Sequence, residues 1–216
     1  MLTAARAGMS LVIYGDEQMP TQSSMHFYVN WAKERLDEMD AALTSLEGKI
    51  GGVQADARHM ADSALADLRK SRDGFRDTVK KQAEAGEAAW IGAKAKLEDE
   101  WNSFEAGVRK YVESFGKQIE DQQVTFKLLA AAQLKAWREA ADKLGSDAKE
   151  FATERQVEID AAVRRMKADA AAAEEKIQKN LNQAGTWSAL MATLAETRAA
   201  FDRANQAARE AFKRAT

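Results

Sequence analysis

The chain has 216 residues, 31% of them charged and 7% aromatic, with one Pro and no Cys. Its 32 basic and 34 acidic residues are finely mixed, so there is no basic stripe for nucleic-acid phosphates and no polybasic patch for an anionic membrane. Disulfide and thiolate chemistry are excluded by the missing Cys, and no apolar run approaches the roughly 20 residues of a membrane span.

Residues 1–24 differ in character from the rest of the chain. Their one apolar run, Met9-Ser10-Leu11-Val12-Ile13-Tyr14, is too short for the core of a signal peptide. The segment reads as a disordered tail or, over residues 1–18, as a leader assigned to the chain in error, with Met19-Pro20 as the alternative start.

From Met25 onward the apolar residues recur at steps of three and four, the period of helices, and no stretch alternates as a strand would. No Pro follows Pro20 to break them. The first helix is expected over 25–48, with Tyr28, Leu36, Met39, Leu43 and Leu46 on its stripe, ending at Gly48 and the Gly51-Gly52 pair. A second, 53–84, carries Met60, Leu65, Leu68, Phe75 and Val79. The third, 87–116, has the strongest pattern: Trp90, Leu97, Phe104 and Tyr111 step by seven, and Trp101, Val108 and Phe115 fill the seam.

The pattern crosses Gly116 without losing phase, which predicts continuation into a fourth segment, 118–144, with Phe126, Leu134, Trp137 and Leu144. A continuous helix from 87 to 144 would be roughly 85 Å long. Gly145 with Ser146 or Asp147 reads as a helix end followed by a new cap, opening a fifth helix over 146–183. Gly185-Thr186 reads the same way, with Thr186 capping a sixth over 186–213 that holds Trp187, Leu194, Phe201 and Phe212. A period near 3.5 implies knobs-into-holes packing in a left-handed supercoil.

Shifted by 97 residues, Trp90 meets Trp187, Leu97 meets Leu194, Phe104 meets Phe201, Phe115 meets Phe212 and Gly48 meets Gly145. An unbroken heptad pattern would match its apolar positions at a shift of fourteen heptads in any case; the shared aromatics and glycine go somewhat beyond that. The expected fold is therefore all-α: an elongated antiparallel helical bundle or coiled coil. It is built either as two tandem three-helix units, 25–116 and 117–216, sharing a long central helix, or as one long folded coiled coil.

Groups for catalysis are scarce. His26 and His59 lie far apart, neither in an H-E-x-x-H nor a Glu-x-x-His arrangement, and no phosphate loop, G-x-S-x-G or EF-hand loop occurs. The acids Glu98-Asp99-Glu100 and Glu120-Asp121 follow one another on helices, so they point in different directions and read as solvated faces. His59 reads as a surface or boundary residue. The i,i+4 pairs Glu34/Glu38, Lys94/Glu98, Arg138/Asp142 and Glu150/Glu154 read as wet helix surface. The tracts Ala130-Ala131-Ala132, Ala161-Ala162 and Ala170-Ala171-Ala172-Ala173 read as close-packed seams within a bundle, with a surface that opens onto lipid or a partner as the other reading. No catalytic residue, cofactor or metal ligand is assigned.

The stretch Ala89-Trp90-x-x-x-Lys94-x-x-Leu97-Glu98-x-x-Trp101-x-x-Phe104-Glu105 resembles the Ala-Trp repeats of small bacterial coiled-coil proteins of stress-response type. The remainder is similar to uncharacterised alphaproteobacterial proteins and, more weakly, to phasins, the Ala-rich helical proteins that coat polyester granules. The resemblance implies a non-enzymatic, cytoplasmic, stress-linked structural or interaction protein, with itself or another helical protein as partner. An amphipathic helical coat on lipid or polyester granules is the alternative. The seam residues Trp90, Leu97, Trp101, Phe104, Tyr111, Trp187, Leu194 and Phe201 are expected to carry the role, chiefly as packing.

Overall fold

Among the described residues the helical period is realised as six long helices: α1 (Met25–Glu47), α2 (Ala55–Ala85), α3 (Glu87–Phe115), α4 (Ile119–Asp147), α5 (Thr153–Asn182) and α6 (Trp187–Ala215). The structure is a computed structural model that describes residues 25–116, 119–150, 153–183 and 185–215; the expected tail or leader over 1–24 lies outside the described residues. At 1.5 Å per residue, a helix of 29 residues such as α3 is about 44 Å long.

Local chemistry sets most of the boundaries. α1 stops at Glu47, and the following Gly pair forms a 3-10 turn, Ile50–Gly52. Gly86 separates α2 from α3 in a conformation with φ of +92°, where an L side chain would be strained. Thr186 caps α6, its Oγ1 accepting from the Ala189 backbone N–H at 3.3 Å.

Two expectations differ from the structure. Gly145 does not end its helix: α4 runs on to Asp147, a 3-10 turn covers Ala148–Glu150, and α5 opens at Thr153, seven residues later than expected. A Cβ on Gly145 would rest 3.6 Å from Val163 Cγ1, so this glycine lies in the α4–α5 packing surface, where contact with a neighbouring helix sustains it against its low propensity. The long central helix is also not formed. α3 ends at Phe115, Gly116 is extended (φ −81°, ψ 90°), and α4 starts at Ile119 in the opposite direction. Phase preserved across Gly116 reports that both helices present the same face to a core; it does not report that they are one helix.

Cross-links define the directions. α1 runs antiparallel to α4, joined by Ser45 to Thr125 at 2.8 Å near one end and Lys33 to Glu139 at 2.8 Å near the other. It also runs antiparallel to α6, through Arg35–Asp202 and the Asn205 Nδ2 to Phe27 carbonyl bond at 2.9 Å. α6 pairs antiparallel with α5, linked by Asn180 to Thr193 at 2.6 Å and Arg214 to Glu158 at 3.5 Å. Consecutive helices thus alternate up and down, and two three-helix halves, α1–α3 and α4–α6, lie side by side. α1 is central and packs on α2, α3, α4 and α6.

The two halves have helices of similar span in the same order. Moved on by 97 residues, α2 coincides with α5 to within a residue at each end. The core is continuous across both, with Phe75, Trp90, Leu97, Trp137, Leu144 and Phe201 all sealed from solvent. Trp137 meets Phe201 edge-on at 5.4 Å. The alanine seam lies mainly where α5 meets α6, with Ala170 and Ala173 of one and Ala204, Ala208 and Ala211 of the other buried. Small side chains let these two helices approach closely.

Candidate functional site

The eight seam residues, Trp90, Leu97, Trp101, Phe104, Tyr111, Trp187, Leu194 and Phe201, are all buried. They are distributed along α3 and α6, so they form layers of the core and do not converge on one point. His59 is exposed on α2, and His26 lies half-buried against Phe27 and Phe212. Among the described residues no group of three or more His, Cys, Asp or Glu is placed to hold a metal ion.

Because α1 is covered on several sides, its charges are buried as well. Glu34 and Glu38, expected on a wet surface, are 0% and 1% exposed. The helix is in contact with α4 and α6 where one-sided amphipathicity would have left them in water. Arg35, 4% exposed, donates to Glu34 at 2.7 Å and grips Asp202 of α6 through both oxygens, at 2.8 and 2.6 Å. Arg198 of α6 donates to both oxygens of Glu38, at 2.7 and 3.3 Å, and to Glu105 of α3 at 3.1 Å. Its guanidinium lies 4.5 Å from the centre of the Trp101 ring. Gln133 of α4, fully buried, donates to Glu38 at 2.8 Å and accepts from Thr197. One polar network therefore ties α1, α3, α4 and α6 together across the two halves.

The electrostatics follow from burial. Removal from water pushes the Glu34 carboxyl well above its usual value; Arg35 opposes this, and the neighbouring Glu38 reinforces it. For Arg198 burial works against the charge, but Glu38, Glu34 and Glu105 together outweigh it and the pKa is raised. Glu34 Oε1 has no hydrogen-bond partner among the described residues. A carboxyl with a raised pKa is a general acid-base candidate, but this one is sealed inside the bundle, with Arg35 of its own helix as its ion-pair partner.

Two recesses open between helices, the first bordered by Asp202 of this network. The first, about 500 Å³, opens between α1, α3 and α6. Phe27, Tyr28 and Trp31 of α1 form one wall, Ile91 and Lys94 of α3 another, and Asn205 and Arg209 of α6 a third. The second is a groove of about 630 Å³ between α2 and α3, lined by Met60, Leu68, Phe104, Gly107, Tyr111 and Phe115. A Cβ on Gly107 would come within 2.9 Å of Leu68 Cδ2, so this glycine lets Leu68 seat against α3. The Tyr111 hydroxyl, buried in this region, has no partner among the described residues.

Sequence reasoning missed the network, although a signal was present. Glu34, Glu38 and Arg198 fall in phase with the apolar stripes of their helices, between Trp31 and Ala42 and between Leu194 and Phe201. Charges in core phase are either buried pairs or breaks in the stripe, and the stripe continues on both sides.

Compared with known proteins, the chain matches no family model, no curated protein and no solved structure. No described helix is long and apolar enough to cross a membrane.

Proposed function

We propose that the protein is a non-enzymatic structural and interaction protein that associates with a second copy of itself through the groove between α2 and α3. The observation that carries this reading is the groove. α2 packs on α1 and α3 at the margin of the bundle, and of its 31 residues only Ala61, Leu65, Leu68 and Phe75 are buried. Met60 stands 61% exposed beside an apolar trough that suits an amphipathic helix.

The rim favours a like partner. Asp67 stands on the α2 wall and Lys110 on the α3 wall, and neither makes an ion pair among the described residues. A two-fold mate would bring the acidic wall of one copy to the basic wall of the other, the self-complementarity an isologous interface needs. Helices of this length offer enough surface for an interface of about 1,600 Å².

Size-exclusion chromatography with light scattering tests it. A dimer is expected at about 10 µM and above, with Met60→Asp, Asp67→Lys or Lys110→Asp each shifting it to monomer. The double exchange Asp67→Lys/Lys110→Asp should restore it. A protein that stays monomeric at every concentration overturns the reading. A coat on lipid or polyester granules would require the bundle to open, which the network between its halves opposes; Trp emission that shifts on adding vesicles would favour the coat. A stress-linked role in the cytoplasm is part of the same proposal, supported by the resemblance of residues 89–105 to Ala-Trp repeats.

A further inference from the structure

We propose that the recess between α1, α3 and α6 is a binding site for a neutral, planar nitrogen heterocycle of the nucleobase class. It is separate from the α2–α3 groove, so this inference does not depend on self-association.

Size and walls come first. A recess of about 500 Å³ lies within the usual range for small-molecule sites, roughly 300–1,000 Å³. Tyr28 and Trp31 reach it one turn apart on α1, but Arg209 lies over the Tyr28 ring and Arg35 over Trp31, so a flat ring would stack on the outer face of the Arg209 guanidinium; Ile91, 60% exposed, stands at the edge on α3. Such walls favour a flat ring over a flexible chain.

Charge comes next. The charged groups at the recess are already matched: Arg209 pairs with Glu87 at 2.6 Å, Lys94 with Glu98, and Asp202 with Arg35 at 2.6 Å. A ligand carrying a net charge would have to break one of these pairs, whereas a neutral one leaves them intact.

Hydrogen bonding narrows the class further. Asn205 is 7% exposed and lines the recess; its Nδ2 donates to the Phe27 carbonyl, but its Oδ1 has no partner among the described residues. One turn on along α6, Arg209 Nε is likewise buried without an acceptor. A buried donor or acceptor left unpaired costs about 1–3 kcal/mol. Here one of each stands in the same wall. The terminal torsion of an Asn side chain is soft, so a small turn of the amide offers Oδ1 to the recess. The Arg209 guanidinium lies 4.6 Å from the centre of the Tyr28 ring, and a planar, weakly hydrated group of this kind both stacks and donates. A ring with an N–H and an acceptor on adjacent edge positions answers both unpaired atoms; a hydrocarbon ring answers neither, and indole only one.

Titration calorimetry of the full chain with adenine and uracil, with indole as the comparison, tests this. Saturable binding of at least one base is expected, about tenfold tighter than indole, as one additional hydrogen bond predicts. Asn205→Leu should weaken the base about tenfold and leave indole nearly unchanged. Ile91→Trp alters an exposed position, so the fold is retained while the bulky ring blocks the recess and abolishes binding. The proposal is overturned if neither base binds saturably, if indole binds as tightly as the bases, or if Ile91→Trp leaves base binding intact.

Discussion

Replacing Arg198 by Met should be among the most damaging single changes in this protein. The guanidinium spans two helices: it donates to Glu38 at 2.7 and 3.3 Å and to Glu105 at 3.1 Å, and it lies over Trp101. Met restores most of the apolar volume but none of the donors. Glu38, 1% exposed, then keeps Gln133 as partner but loses its countercharge. Removing one member of a buried ion pair costs about 3–5 kcal/mol, because the other charge remains buried. For a chain of this size each kcal/mol moves the melting temperature by about 2–4 °C, so a fall of about 6–20 °C is expected. Circular-dichroism melts of Arg198→Met, Glu38→Met and the double variant measure it. The double variant should be more stable than the sum of the two losses predicts, by at least about 1 kcal/mol, since an uncharged pair needs no partner. A fall of less than about 2 °C for Arg198→Met, or strict additivity in the double variant, would refute the claim that this pair closes the interface between the halves.

Three further outcomes are expected from the same structure. The folded-state pKa of Glu34 is raised, so its contribution is fully present below the unfolded carboxylate value of about 4.3 and is lost as pH rises through the raised value. Glu34→Gln, which mimics the protonated form, should therefore gain on the wild type steadily as pH rises from about 4.3 toward neutrality; urea midpoints that keep a constant gap across that range would contradict it. At the exposed helical positions Gly74 and Gly92 a Cβ meets nothing within 4 Å, so Ala at either should stabilise by about 0.5–1 kcal/mol. Gly86→Ala should instead cost about 1–3 kcal/mol, because φ of +92° suits only glycine. Thermal melts separate the two signs.

Much of the fold was legible in residue order because helices are local. Spacing at three and four residues placed six helices, the Gly51-Gly52 pair and Thr186 marked real boundaries, and the aromatics of the seam are buried except Phe115, which is half-buried. The errors have one origin. Gly116 and Gly145 carry the same intrinsic propensity, but one follows the last residue of α3 and the other lies within α4 against Val163. Propensity at a single glycine is about 1 kcal/mol, less than packing against a neighbouring helix contributes, so the neighbour decides.

The candidate sites show the same division. The α2–α3 groove uses residues whose apolar character was plain, Met60, Leu68, Phe104 and Tyr111. The recess and the ion network are assembled from residues far apart in the chain: Arg35 meets Asp202, Glu38 meets Arg198, and Asn205 meets Phe27. A charged residue on a helix has no fate of its own; it is solvated or buried according to what lies opposite. Residue order by itself determined that this chain forms long amphipathic helices, where most of them turn, and which aromatics go inside, because period and breakers act within a few residues. Only the tertiary structure decided that the halves lie side by side and that α1 is central. Those choices turned Glu34 and Glu38 from apparent surface charges into the buried centre of the molecule, where guanidinium groups contributed from α1 itself and from α6 offset part of the cost of desolvating them.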